Sequence, residues 1–385
     1  MNGGPGWARP PRTAPAARRI VAAVGRARLL PLALLAAGVL VVTQVTHNDP
    51  APTVAPPPPP RGFYGVGLAG PPTAADVGSL RDVGAATARV TFDWRTVQPT
   101  ASAPPAFGAT DPLVRRLAEA GLEVFPQFIS TPGWLTPNPV TPPLFSGPAR
   151  SGWRTFLTAT VARYGPHGSF WKENPAVPYD PIRAWQVWNE PNAPGYFAPR
   201  PSPPAYAELL RISAAAIRRA DPQATIVLAG MFQTSGQPPA ISSWQFLRRL
   251  YTLGARANFD VVGVHPYYPD MAGVARQIER MRAVSVSEND SGTPIWVDEI
   301  GWGSDTTGSK LNLGADGQAA MLSRAFDYIL ANRLRLDIGR LIWYPLRDSA
   351  PAAAGACGFC GSEGLLDAQG NPKPAWSAYR RFAAT

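Results

Sequence analysis

IRAWQVWNEPN, residues 182–192, is a short apolar run that stops abruptly at polar residues. It is too short for a core helix and reads as a buried strand with chemistry at its end. Seven other runs share that character: Phe63–Leu68 (FYGVGL), Ala86–Phe92 (ATARVTF), Leu122–Phe128 (LEVFPQF), Thr225–Met231 (TIVLAGM), Phe259–His265 (FDVVGVH), Pro294–Ile300 (PIWVDEI) and Arg340–Leu346 (RLIWYPL). Amphipathic helical patterns such as LVRRLAEAG and YAELLRISAAAIRRA separate them. Continuous apolar strands alternating with helices predict a parallel sheet covered on both faces. Eight of them predict an α/β fold of the (β/α)8 TIM-barrel type, ahead of a doubly wound open sheet. The glycines of GVGLAG lead into Pro71 and Pro72 rather than a helix N-terminus, which argues against a dinucleotide site.

The segment before these runs has a different composition. Up to residue 61 there are seven arginines against one acid, Asp49, so +6 of the +10 net charge belongs to the front. That location excludes a nucleic-acid-binding reading of the remainder. Residues 29–48 carry no formal charge and follow six arginines. They predict a transmembrane signal-anchor, with residues 1–28 cytoplasmic and everything after Asn48 exported to the outer face of the cell membrane. A cleaved signal peptide is the alternative, but no small-x-small site follows Val45. The Arg18–Arg19 pair is not reinforced by the residues after it. Residues 49–61, with Pro56–Pro60 unbroken, predict a stiff polyproline spacer before a folded domain spanning 62–385.

Three histidines (His47, His167, His265) and two cysteines (Cys357, Cys360) exclude a three-histidine or four-cysteine zinc site. No metal and no cofactor are expected. In an exported domain Cys357 and Cys360 predict a disulfide, and the Gly-rich surroundings argue against a redox role.

In a barrel the chemistry sits at the C-terminal ends of the strands. Arg89 lies in the second run, Asn189 and Glu190 end the fourth, and His265 and Tyr267 end the sixth. Glu299 ends the seventh, and Trp343 lies in the eighth. Two glutamates at one mouth match the need of a retaining glycosidase for a pair of carboxyl groups about 5–5.5 Å apart. The plainer alternatives are surface ion pairs for both glutamates, a structural ion pair for Arg89 and a core role for His265. Strand alternation points Asp298 away from Glu299, into a salt bridge behind the barrel. Trp343 and Trp134 are the tryptophans singled out as sugar-stacking faces. The Pro-rich segment Thr131–Pro148 is expected to arch over the site.

ARVTFDW, WNEPN, HPY, DEIGW, the tryptophan of the eighth run and the tail EGLLDAQGNPKPAW together resemble the clan A-type (β/α)8 retaining glycoside hydrolases. The likeness is greatest to the β-xylosidase and cellulase-like branches and covers residues 62–383. The resemblance implies Glu190 as acid/base and Glu299 as nucleophile. It implies Asn189 on the sugar 2-hydroxyl, Arg89 keeping Glu299 ionised and Tyr267 bonding Glu299. It also implies His265 lining the site and Trp343 as the floor beneath the sugar. A guanidinium and a phenol beside one carboxyl, and apolar neighbours plus a second carboxylate beside the other, would push their pKa values apart. The activity implied is hydrolysis of O-glycosidic bonds in extracellular or cell-envelope oligo- or polysaccharides by a monomer. The competing reading is a catalytically silent barrel that binds glycans or anchors to the wall.

Overall fold

The computed structural model describes residues 57–234, 236–349 and 358–384. The expected membrane span at 29–48 and Cys357 lie outside them. Among the described residues no helix is long and apolar enough to cross a membrane. Contacts divide the chain into residues 1–56 and 57–385. The folded unit thus takes in the last prolines of the expected spacer. Arg333 donates to the carbonyls of Pro57 and Pro58, and the Phe63 amide donates to the Pro60 carbonyl at 3.1 Å. The boundary therefore falls before residue 62.

Nine strands are present among the described residues: β1 (Tyr64–Gly67), β2 (Thr87–Asp93), β3 (Glu123–Ile129), β4 (Ala184–Val187), β5 (Thr225–Leu228), β6 (Met231–Phe232), β7 (Val262–His265), β8 (Ile295–Ile300) and β9 (Ile338–Trp343). They form one sheet in the order β5-β4-β3-β2-β1-β9-β8-β7-β6, and every pairing is parallel. Val227 bridges Val261 in parallel, and the Leu228 amide donates to the Val261 carbonyl at 2.9 Å. These contacts join β5 to the chain entering β7 and curl the sheet into a barrel. β5 and β6 are two halves of one barrel position, which the sequence reads as a single strand. The break falls at Ala229–Gly230, where His265 and Asp298 occupy the space a Gly230 side chain would need.

The strands alternate more than their apolar appearance suggests. Phe125 of β3 and Trp296 of β8 belong to strands that are not neighbours, yet their rings meet at 5.1 Å, so both point into the barrel. Ala184, Val227, Val261 and Ile342 complete this apolar plug. At its lower edge Arg340 lies 4.3 Å from the Trp296 ring and 2.7 Å from Glu123. The intervening residues, among them Val90, Phe92, Trp185, Val264, Leu341 and Trp343, belong to the larger core shared with the helices. Two of those helices, Gly147–Tyr164 and Pro203–Ala220, begin at Ser146 and Ser202, whose hydroxyls accept the third amide of each helix. Above the plug the inward series turns polar, with Arg89, Gln127, Gln186, His265 and Asp298.

Phe125→Ala should cost about 3–5 kcal/mol, because it removes the centre of an interior that cannot collapse around the void. Denaturant unfolding of residues 57–385 measures this loss.

Candidate active site

The polar layer is organised by Arg89, which is 2% exposed. Its Nη1 donates to Glu299 Oε1 at 2.5 Å, its Nε to Gln186 Oε1 at 2.9 Å, and its Nη2 to Gln127 and to Asn189 Oδ1, the latter at 3.2 Å. Four side chains from three other strand positions are thereby fixed to one guanidinium. Tyr267 donates its hydroxyl to the other oxygen of Glu299 at 3.2 Å.

Glu190 arrives by a different device. Beyond β4, Trp188 and Glu190 both take positive φ, 72° and 41°, a region that bulky L-residues avoid at a cost of about 1–3 kcal/mol each. The reversal sends Trp188 outward against Trp153 and Phe197 while Asn189 and Glu190 face the mouth. Asn192 locks the turn by donating to the carbonyls of Phe232 and Ile241 at 2.6 and 2.8 Å. His265, fully buried, places Nδ1 2.7 Å from Glu190 Oε1 and 3.5 Å from Glu299 Oε2.

Asp298 departs from the alternation argument. Four residues of β8 (Val297 to Ile300) span three of β9 (Leu341 to Trp343), so a bulge interrupts the strand where the two acids lie. Asp298 is not behind the barrel. It lies beneath the site, 4.0 Å from Arg89 and 3.4 Å from His265 Nε2, and it accepts from Gln186 and from the Val264 amide at 2.8 Å.

The mouth opens into a cavity of about 580 Å³ whose walls include Gln127, Asn189, Glu190, Tyr267 and Glu299. Tyr196, Tyr344 and Glu363 also line it, and none of the three was singled out from the sequence. Trp343 does not line it. Its parity places it on the outer face with Leu341, fully buried against Trp302, with Nε1 donating to the Glu363 carbonyl at 3.1 Å. The adjacent Tyr344 stands at the cleft instead. Trp134 is also absent from the walls, because it packs edge-on against Trp94 and donates to the Gln98 carbonyl at 3.0 Å. The segment 131–148 contributes no wall residue. It folds on itself through Thr131, whose amide and hydroxyl reach the carbonyls of Pro139 and Thr141 at 2.8 and 2.6 Å. Cys360, also at the cleft, is disulfide-bonded.

The electrostatics divide the acids. Burial pushes the Glu190 carboxyl up and nearby Glu299 adds to this, against the opposing pull of His265. For Asp298 burial acts upward too, but His265, Arg89 and Gln186 outweigh it and hold the group below the usual carboxylate range. Burial alone would neutralise His265, yet Glu299, Asp298 and Glu190 push it up to about 10. Glu190, His265 and Glu299 offer ligand atoms within 4.8 Å of one another, a spacing a metal ion can use. An ion there would have to displace the proton that Glu299, Asp298 and Glu190 hold on His265.

No family model and no curated protein sequence matches the chain. Solved structures do. A family 39 glycoside hydrolase from the gut symbiont Bacteroides cellulosilyticus WH2 superposes over 85% of this chain with a TM-score of 0.61 at 21% identity. The chain has the fold of the clan A-type glycoside hydrolases. A monomeric beta-xylosidase from Caulobacter crescentus CB15 matches over 84% of the chain and 68% of its own length, with a TM-score of 0.57 and 18% identity. The GH5_18 protein from Streptomyces cattleya, solved in complex with GlcNAc, matches over 85% and 80%, with a TM-score of 0.59 and 17% identity. The chain spans 64% of the length of the Bacteroides protein.

A histidine raised from 6.5 to about 10 in the folded state stabilises the fold fully below pH 6.5, and that stabilisation is lost as pH rises through about 10. His265→Gln should therefore be less stable than wild type at pH 6, with the gap narrowing towards pH 10. Urea unfolding of both proteins across that range checks the slope.

Proposed function

We propose that this protein is a retaining glycoside hydrolase. The observation that carries the reading is the approach of Glu190 and Glu299, whose facing oxygens lie within 4.8 Å. Inverting enzymes hold their carboxyls about 6.5–9.5 Å apart to seat a water between sugar and base, whereas a double displacement needs about 5–5.5 Å.

Glu299 is the nucleophile. Held by Arg89 and Tyr267, one of its oxygens attacks the anomeric carbon while the bond from that carbon to the leaving oxygen breaks. Glu190 gives its proton to that oxygen, and burial keeps the proton available for the purpose. In the second half Glu190 takes a proton from water, the resulting hydroxide-like oxygen attacks the anomeric carbon, and the ester to Glu299 breaks. Both carboxyls return to their starting states. The substrates are oligo- or polysaccharides outside the cytoplasm, where residues 29–48 would tether a monomeric enzyme to the membrane.

Glu299→Ala should abolish turnover of activated aryl glycosides across a panel of xyloside, glucoside, galactoside, mannoside and arabinofuranoside. Glu190→Ala should keep slow activity on good leaving groups and recover with azide, which replaces the missing acid/base as an external nucleophile. Equal and unrescued loss in both variants would overturn the assignment of roles.

Shedding of the protein into the medium by protease treatment of intact cells tests the tether. A protein left intact until the cells are lysed would contradict it.

A further inference from the structure

Tyr267 gives Glu299 a single hydrogen bond, at 3.2 Å. A phenol that turns about two side-chain bonds keeps such a bond only while its ring is held. The Tyr267 backbone is secured on both sides: its amide donates to the His265 carbonyl at 3.0 Å, and its carbonyl accepts from Gln277 at 3.0 Å. The ring is held by other rings. Phe232 of β6 lies 6.1 Å from it, and Phe359 meets it edge-on at 5.6 Å.

Phe359 lies in the loop after β9, so its place depends on what fastens that loop. Buried Asn312 reaches across from the loop after β8 and donates Nδ2 to the Gly358 carbonyl at 2.9 Å and to the Thr307 carbonyl. The Ser362 amide donates to the Phe359 carbonyl at 3.1 Å. Gly358 lies so near Gly308 that a side-chain carbon there would stand 2.5 Å from the Gly308 carbonyl oxygen. Next to Phe359, Cys360 is disulfide-bonded, and Cys357 is the chain's only other cysteine. The bond therefore closes a small ring of the chain with Phe359 inside it.

We infer that Phe359 is a positioning residue for the nucleophile: it holds the Tyr267 ring on Glu299, and the disulfide at Cys360 holds Phe359. The inference rests on the glycosidase reading and deepens it. Opening the disulfide with a dithiol reductant transfers two electrons and two protons to it, leaving two thiols while the reductant closes to its own disulfide. Phe359 then keeps only its backbone anchors, the Tyr267 ring turns more freely, and the bond to Glu299 is made for a smaller share of the time. The site is fully assembled only where the disulfide is, which suits the setting outside the cytoplasm proposed above.

The test is a double-mutant cycle between Phe359→Ala and Tyr267→Phe on the best aryl glycoside of the panel, with thermal unfolding of each protein to show that it folds. Phe359 also lines the cleft, so direct contact with the sugar is the rival that the cycle separates. Phe359→Ala should lower kcat/KM by about ten- to a hundredfold, while affinity for the free sugar, read by calorimetric titration, stays unchanged. In the Tyr267→Phe background, which has no hydroxyl to aim, Phe359→Ala should cause no further loss. Dithiothreitol, with thiol titration showing both cysteines free, should reproduce the loss in wild type and leave Tyr267→Phe unaffected. Cys360→Ser should behave as reduced wild type does. Losses that multiply independently, or a matching fall in sugar affinity, would overturn the inference. Full activity in the reduced protein would overturn the part assigned to the disulfide. If wild type cleaves nothing in the panel, the hydrolase reading fails by itself. The same cycle in urea-unfolding free energies then decides whether Phe359 supports the Tyr267 bond, and strictly additive losses would reject it.

Discussion

A guanidinium removed from water must find an acceptor for nearly every proton it carries. Arg89 does so by drawing Gln127, Gln186, Asn189 and Glu299 from three other barrel positions onto its rim. The cost of burying the charge is offset by the anions beside it, and deleting either partner of such a pair costs about 3–5 kcal/mol. The site is consequently a condition of the fold as much as a product of it. Two bases, Arg89 and His265, and three acids, Glu190, Asp298 and Glu299, thus share one buried layer.

The devices that aim the two glutamates are local exceptions to regular structure. Glu190 depends on a left-handed turn after β4, and Glu299 on a bulge in β8. Both sit at the ends of rigid strands rather than on long loops, which suits chemistry that tolerates little displacement. Gly230 completes the arrangement by leaving room for the His265 ring that stands between the carboxyls.

Much of this could be read from sequence because apolar runs bounded by polar residues are a strong signal in a parallel barrel. Arg89, Asn189, Glu190, His265, Tyr267 and Glu299 were nominated from strand ends, and the barrel brings all six together. The misplacements share one cause, the phase of the strand. Alternation from the inward Trp296 puts Asp298 inside and an extra residue in β8 brings Glu299 to the same mouth, while alternation from the inward Ile342 turns Trp343 outward. Composition cannot reveal either phase. Glu363 belongs to a tail with no periodicity, so nothing marked it even though EGLLDAQGNPKPAW was noticed. Gln127 and Gln186 gave no signal either, because an amide inside an apolar run has meaning only once the charge it serves is known.

The apolar plug has a further implication for protons. Phe125, Trp296, Ile342 and their neighbours close the lower half of the barrel, so the charged layer resembles the blind end of a well. Water reaches it through the mouth, and a ligand seated there acts as a stopper. Protons then come and go at the mouth alone, past whatever occupies it. A change of pH is therefore felt by this layer from one side of the barrel only.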